Sequence, residues 1–157
     1  MHVIEVGTKS GLFDALGEGV KNSIAEDLGI TGVKSVRFLD VYNINAELGE
    51  GGLNAVAEKV LSDPISQSFS VNSPLDSGFD WEITVKYNPD VTDNVGFTAK
   101  KAIEDFLGKE LGRGDCVRSA RKYLLRGKIS REDAERICKR LLANAIVEVY
   151  EIREGAK

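Results

Sequence analysis

Apolar residues alternate with polar ones at Ile4 and Val6, and again at Ile83, Val85 and Tyr87, the period of a half-buried strand. Turn-rich segments follow, over residues 7–11 and at Asn88-Pro89-Asp90. Asp14 and Asp93 then stand where a carboxylate can accept from the free N–H groups that open a helix. Leu16, Val20, Ile24 and Leu28 recur at four-residue steps and predict a first helix; Val95, Ala99, Ile103 and Leu107 predict its counterpart. Gly29 and Gly108 follow as C-terminal glycines able to take positive φ.

A long strand comes next in each half. Val36, Phe38, Tyr42 and Ile44 share one parity, and Val117, Tyr123 and Leu125 share the equivalent one. The opposite parity is not properly polar, since it carries Leu39 and Val41 in one half and Ala120 and Leu124 in the other. A sheet with helices on one face should be polar on the second face unless something covers it. A second helix is predicted by Leu53, Val56, Ala57, Val60 and Leu61, matched by Ala134, Ile137, Cys138, Leu141 and Leu142. Ser130 with Asp133 reads as a capping pair at its start in the second half. The helices end at Asp63-Pro64 and Asn144-Ala145, and a last strand is expected from Ile65, Phe69 and Val71 and from Ile146, Tyr150 and Ile152.

These parallels are a tandem duplication. Val6, Asp14, Gly17, Lys21, Ile24 and Leu28-Gly29 meet Val85, Asp93, Gly96, Lys100, Ile103 and Leu107-Gly108 at an offset of 79. After a two-residue insertion, Val36-Arg37, Tyr42, Leu61, Ile65 and Phe69 meet Val117-Arg118, Tyr123, Leu142, Ile146 and Tyr150 at an offset of 81. A period this long is two copies of one small module and not a solenoid repeat. The expected fold is α+β: two tandem β-α-β-α-β modules, each a small, mostly antiparallel sheet with two helices on one face. A pseudo-two-fold relates the modules, which pack through their sheets. The division is 1–72 for the first module, 73–79 for the linker, 80–153 for the second module and 154–157 for a tail or the start of a linker.

Composition narrows the chemistry. An apolar fraction of 42% and a charged fraction of 29% are those of a globular protein. No apolar run approaches the ~20 residues needed to span a bilayer, so the expected location is the cytoplasm with no membrane partner. Residues 1–78 carry 5 Lys/Arg against 11 Asp/Glu, a net of −6, whereas residues 79–157 carry 16 against 14, a net of +2. The two halves could therefore face different partners. Cys116 and Cys138 lack metal-ligand spacing and are expected to be buried thiols. The single histidine, His2, excludes any two-histidine metal motif and, at the very start of a predicted strand, reads as incidental in preference to catalytic, and no phosphate-cradling loop is present. No catalytic and no metal-binding residue is assigned. Asp14 and Asp93 read as caps in preference to paired acid/base carboxylates. Arg37 and Arg118 recur among apolar neighbours, as an interface ion pair or a holder of phosphate or carboxylate would. Asp40 and Arg121 hold the same repeat position with opposite charge and could pair across the axis. The basic stretch 117–131 contains Arg118, Arg121, Lys122, Arg126, Lys128 and Arg131, but only Tyr123 offers a ring for stacking, which argues against nucleic acid. Arg37, Asp40, Tyr42, Arg118, Arg121, Lys122 and Tyr123 are the candidate interface or ligand-contacting residues.

The order of motifs in both halves resembles the PurS family, the small subunit of phosphoribosylformylglycinamidine synthase. The residues that carry it are Gly11 to Gly17, Leu28-Gly29, Val36-Arg37 with Tyr42, and Leu61 to Phe69, and in the second copy Val91 to Gly96, Val117-Arg118 with Tyr123, and Leu142 to Tyr150. The duplicated form is similar to the N-terminal region of the long, single-chain type of that synthase. The resemblance implies a bridging module with no catalytic residues, joining a glutaminase to a synthetase core. It also implies that ATP and Mg serve that core, and that further homo-oligomers could form. The chain would then be a stand-alone duplicated subunit or an N-terminal domain. A metabolite-sensing regulatory αβ domain is the alternative reading.

Overall fold

A computed structural model describes residues 1–155. Both halves follow the expected element order. The first half gives β1 (His2–Thr8), α1 (Ala15–Leu28), β2 (Val33–Asn45), α2 (Gly49–Val56) and β3 (Gln67–Val71). The second gives β4 (Trp81–Tyr87), α3 (Asn94–Leu107), β5 (Cys116–Gly127), α4 (Arg131–Ile137) and β6 (Glu148–Glu154). Both α2 and α4 run on into a π-helical turn, Ala57–Leu61 and Cys138–Leu142. Of the expected tail, residues 154 and 155 continue β6 and its bonding to Asp80, and residues 156 and 157 lie outside the described residues.

All six strands form one antiparallel sheet in the order β3-β1-β2-β5-β4-β6. The expected packing through the sheets takes the form of strand pairing, with β2 the neighbour of β5. Packing and sequence repeat divide the chain differently. One compact unit gathers β1, the second half of β2, α2 and β3 from the first repeat with α3 and the first half of β5 from the second. The other gathers β4, the second half of β5, α4 and β6 with α1 and the first half of β2. Each repeat thus lends its first helix to strands of the other. In the first unit Ile4, Val6, Ile44, Leu53 and Val56 pack with Ala99 and Ile103 of α3. In the second, Ile83, Val85, Leu125, Ile137 and Cys138 pack with Ile24 of α1.

The helix starts explain the repeated Asp-x-x-Gly spacing. Asp14 accepts from the Gly17 N–H at 3.0 Å as an N-cap, and its second oxygen accepts from the Phe38 N–H in the middle of β2 at 2.9 Å. Asp93 repeats this with Gly96 at 2.8 Å and the Ser119 N–H at 2.6 Å, and adds the Ser119 hydroxyl at 2.7 Å. Both aspartates are therefore structural caps that also hold a strand. A Cβ on Gly17 would collide with the Val36 carbonyl oxygen, and one on Gly96 with that of Val117, so only glycine lets the helix approach the strand this closely. Gly29 and Gly108 end the helices at φ 67° and 70°. Ser130 and Asp133 form the expected capping box.

Four expectations need correction. Leu16 and Val95, counted as the first members of the apolar stripes, are 62% and 50% exposed, because the stripe reaches the core one turn later. Ile65 and Ile146 lie ahead of the last strands and not in them, at 83% and 85% exposed. Asp63 holds the first turn by accepting from the Ile65 N–H at 2.9 Å, and Asn144 the second by accepting from the Ile146 N–H at 3.1 Å. Those backbone bonds pull the Asp63 carboxyl below its usual range. Cys116 is exposed at the start of β5 while Cys138 is buried, and both are free thiols. Leu39, Val41, Ala120 and Leu124 are buried as expected, but the strands join edge to edge in one sheet, and it is the connector that bonds to polar residues of their face. The Leu75 N–H donates to buried Glu5 at 2.8 Å, Asp76 pairs with Arg37, and Arg126 donates to the Ser77 and Gly78 carbonyls. Glu5, Arg37 and Arg126 all have the parity opposite to the core-facing residues of their strands, so the connector crosses the sheet's second face.

This arrangement sets an order of sensitivity. Asp93→Ala is expected to lose about 2 kcal/mol or more and Asp14→Ala about 1–2 kcal/mol, because the Asp93 carboxylate is buried and makes three bonds to the two made by Asp14. Gly17→Ala and Gly96→Ala should each cost about 1–3 kcal/mol through the forced shift of helix from strand. Urea unfolding of the four variants checks this; equal midpoints for Asp14→Ala and Asp93→Ala would sink the ordering.

Candidate functional site

The seven candidate residues lie on β2 and β5, the two longest strands, and strand alternation separates them. Arg37, Arg118 and Lys122 fall on the face crossed by the connector, and Asp40, Tyr42, Arg121 and Tyr123 on the face covered by helices. The basic stretch of β5 is therefore split between two faces and does not form a single basic surface.

Most of these side chains are engaged inside their own unit. Arg37 donates through Nε to Asp76 Oδ2 at 2.7 Å. Lys122 pairs with Glu82 at 3.3 Å in a mostly buried setting. Arg121 pairs with Glu148 and donates to the Leu142 carbonyl at 3.3 Å, tying β5 to the end of the π turn and the start of β6. Tyr123 is buried and meets Phe38 edge-on, with ring centroids 5.4 Å apart. Burial, with the Asp40 charge as a second cause, holds the Tyr42 phenol above its ordinary range. Arg118 belongs to the same face as Lys122 and is also engaged.

Chemistry beyond these pairs is sparse. His2 sits beside Asn72, Nδ1 to Nδ2 at 3.1 Å, and no carboxylate among the described residues is bonded to it that could orient a base. Among the described residues no group of three or more His, Cys, Asp or Glu could hold a metal ion. None of their helices is long and apolar enough to cross a membrane. Two open hollows occupy repeat-equivalent places beside the start of the second helix. One, of about 680 Å³, is lined by residues including His2, Glu47, Leu53 and Phe69; the other, of about 810 Å³, includes Trp81, Lys128, Ser130 and Asp133.

What sequence reasoning missed is the exposed apolar set. Phe13 and Leu16 stand out at the start of α1, Val95 and Phe97 at the start of α3, and Ile65 and Ile146 at the two turns. Leu16 answers to Val95 and Ile65 to Ile146 in the repeat, so the same positions are left uncovered in both copies. The available signal was this recurrence of apolar residues next to a helix cap or inside a turn.

Two titratable groups report on the second core. Burial, then nearby Glu135, pushes the Cys138 thiol up to about 12. The Tyr150 hydroxyl donates to Glu135 at 2.8 Å, and that bond, followed by burial, pushes its pKa up to about 12. Unfolding would return the thiol to about 9.0 and the phenol to 10.0, so both groups favour the folded chain fully below pH 9.0 and lose that contribution as pH rises toward 12. The melting temperature should therefore fall steeply over that interval, less steeply in Cys138→Ala and Tyr150→Phe. A thiol reagent near pH 8 should label only Cys116 in the native chain and both cysteines after unfolding; native labelling of Cys138 would contradict its burial.

A search of curated proteins returns no match. A family model does match, PurS: Phosphoribosylformylglycinamidine (FGAM) synthase, over residues 2–74 and again over residues 80–154. The two matched stretches cover nearly the whole chain and coincide with the tandem repeat, so this protein belongs to the PurS family of FGAM synthase in purine biosynthesis, with the family module present twice.

Proposed function

We propose that the chain is a non-catalytic bridging module of FGAM synthase, linking the glutaminase and synthetase parts of that enzyme. The reaction is the ATP- and glutamine-dependent amidation of formylglycinamide ribonucleotide. ATP and Mg are used by the synthetase core, either on the same chain or as a separate subunit. The observation that carries this reading is the pairing of committed polar residues with uncovered apolar ones. Arg37, Arg121 and Lys122 are bonded within the chain, whereas Leu16 and Val95, and Ile65 and Ile146, are exposed at equivalent places. Exposed apolar residues grouped near a helix start fit docking better than they fit chemistry. The unequal charge of the halves, −6 against +2, lets two similar surfaces choose different partners.

Co-purification of the full chain with a glutaminase and a synthetase core tests this directly. Leu16→Asp and Val95→Asp should each weaken one of the two associations by roughly tenfold or more, the scale of a lost interface anchor, without changing the fold seen by circular dichroism. Two variants that weaken neither association would remove these residues from the interface. Failure to bind either partner, together with a melting temperature raised by an amino acid or nucleotide, would favour the metabolite-sensing reading, with the two hollows as its sites.

A further inference from the structure

The two hollows beside the second helices are duplicated, but their charges are not. The 680 Å³ hollow of the first repeat is lined by Leu53, Phe69 and Val71 together with Glu47 and Glu50. Leu53 is buried, whereas both glutamates are exposed and pair with no cation among the described residues. At the equivalent positions of the second repeat, at the offset of 81, stand Lys128 and Arg131. Two acids of that second hollow are already committed, Asp80 to the Gly127 N–H and Asp133 to its capping box.

The strands beside the hollows differ as well. β3 and β6 are the two terminal strands of the sheet, and a terminal strand presents unpaired N–H and C=O groups unless charges, prolines or bulges blunt it. β6 carries Glu148, Glu151, Arg153 and Glu154, whereas β3, Gln67 to Val71, has neither charge nor proline. Asn72 donates to the Val3 carbonyl at 2.8 Å and Lys9 to the Ser66 carbonyl at 2.9 Å, so the bonded pairs with β1 fall on residues 66, 68, 70 and 72. Phe69 and Val71, opposite Val6 and Ile4, therefore turn their N–H and C=O groups out of the sheet, and both line the acidic hollow.

We propose that β3 and its hollow dock an extended segment of a partner protein, which adds to the sheet as one more strand and carries a basic residue two positions from an apolar one. This goes beyond the bridging role and stands on the edge and the hollow alone. Residues of the added strand opposite Phe69 and Val71 share their face of the sheet, because side chains directly across a strand pair point the same way. That face is the one α2 covers, since Phe69 and Val71 pack against the core that holds Leu53 and Val56. An apolar side chain there extends the surface of Leu53, Phe69 and Val71, and a lysine or arginine two residues along lies on the same side as Glu47 and Glu50. Main-chain bonds to Phe69 and Val71 supply affinity, and the acids select the sequence by repelling an acidic segment. A second copy of β3 does not meet this requirement, because residues 67–71 include no basic side chain.

The probe is a capped heptapeptide in which threonines alternate with lysine, leucine and lysine, so that the last three share one face. Titrated into the full chain and followed by amide NMR and hydrogen exchange, it should shift and protect the Phe69 and Val71 amides and leave those of Tyr150 and Ile152 unchanged. A peptide with glutamate in place of both lysines should bind roughly tenfold more weakly or worse, and Glu47→Lys combined with Glu50→Lys should reverse that preference. Lys128→Glu should change neither affinity, and circular dichroism establishes that each variant folds. Equal binding of the two peptides, equal protection of Tyr150 and Ile152, or no protection at all would each overturn the assignment. So would protection of Phe69 and Val71 that grows with chain concentration in the absence of peptide, which would make a second copy the occupant.

Discussion

The structure depends on one carboxylate contact, made twice. β2 and β5 each pass from one compact unit into the other part-way along, between Leu39 and Asp40 and between Ala120 and Arg121. Just ahead of each crossing, the Phe38 and Ser119 amides are met by the side chains of Asp14 and Asp93 in place of a strand carbonyl. A buried backbone amide left without a partner would cost about as much as a lost hydrogen bond. The same carboxylates cap α1 and α3, so one group fixes where the helix begins and where it meets the strand. Gly17 and Gly96 then permit the close approach, because any side chain there would enter the space of a strand carbonyl.

From that junction follows the exchange of helices. Once α1 is tied to the first half of β2, its apolar stripe meets Ile83, Val85 and Ile137 of the other repeat together with Val36 of its own β2. α3 does the reverse with Ile4, Ile44 and Val56. Neither repeat owns a complete core, which explains in packing terms why two copies occur together. The connector adds to this on the second face, where Glu5, Arg37 and Arg126 hold its backbone and the Asp76 side chain.

Much of this was legible in the residues. Alternation at Ile4 and Val6, the Asp caps, the C-terminal glycines and the Ser130–Asp133 box are local signals, read from neighbours three or four positions apart. Ile65 and Leu16 were misread for the same reason: their spacing continues an apolar pattern, and only the turn held by Asp63 and the angle of α1 place them outside the core. The candidate residues recur at equivalent positions of β2 and β5, or for Lys122 belong to the basic stretch of β5, and they do lie on those strands. That alternate faces separate them follows from strand geometry, but their partners Asp76, Glu82 and Glu148 are distant in sequence and carry no signal in spacing.

The sequence by itself determined the duplication, the element order, the helix ends and the absence of a familiar catalytic motif, because each rests on short-range chemistry or on comparison of the chain with itself. The tertiary structure alone decided that β2 and β5 join the repeats into one sheet and that first helices are exchanged. It also decided that one sheet edge is open and the other charged, since an edge exists only once strand order is known. Those features arise from pairings between residues many positions apart, where the same apolar pattern is compatible with a helix on its own repeat or on the other. The physical choice between them is made by where a carboxylate can satisfy a strand amide.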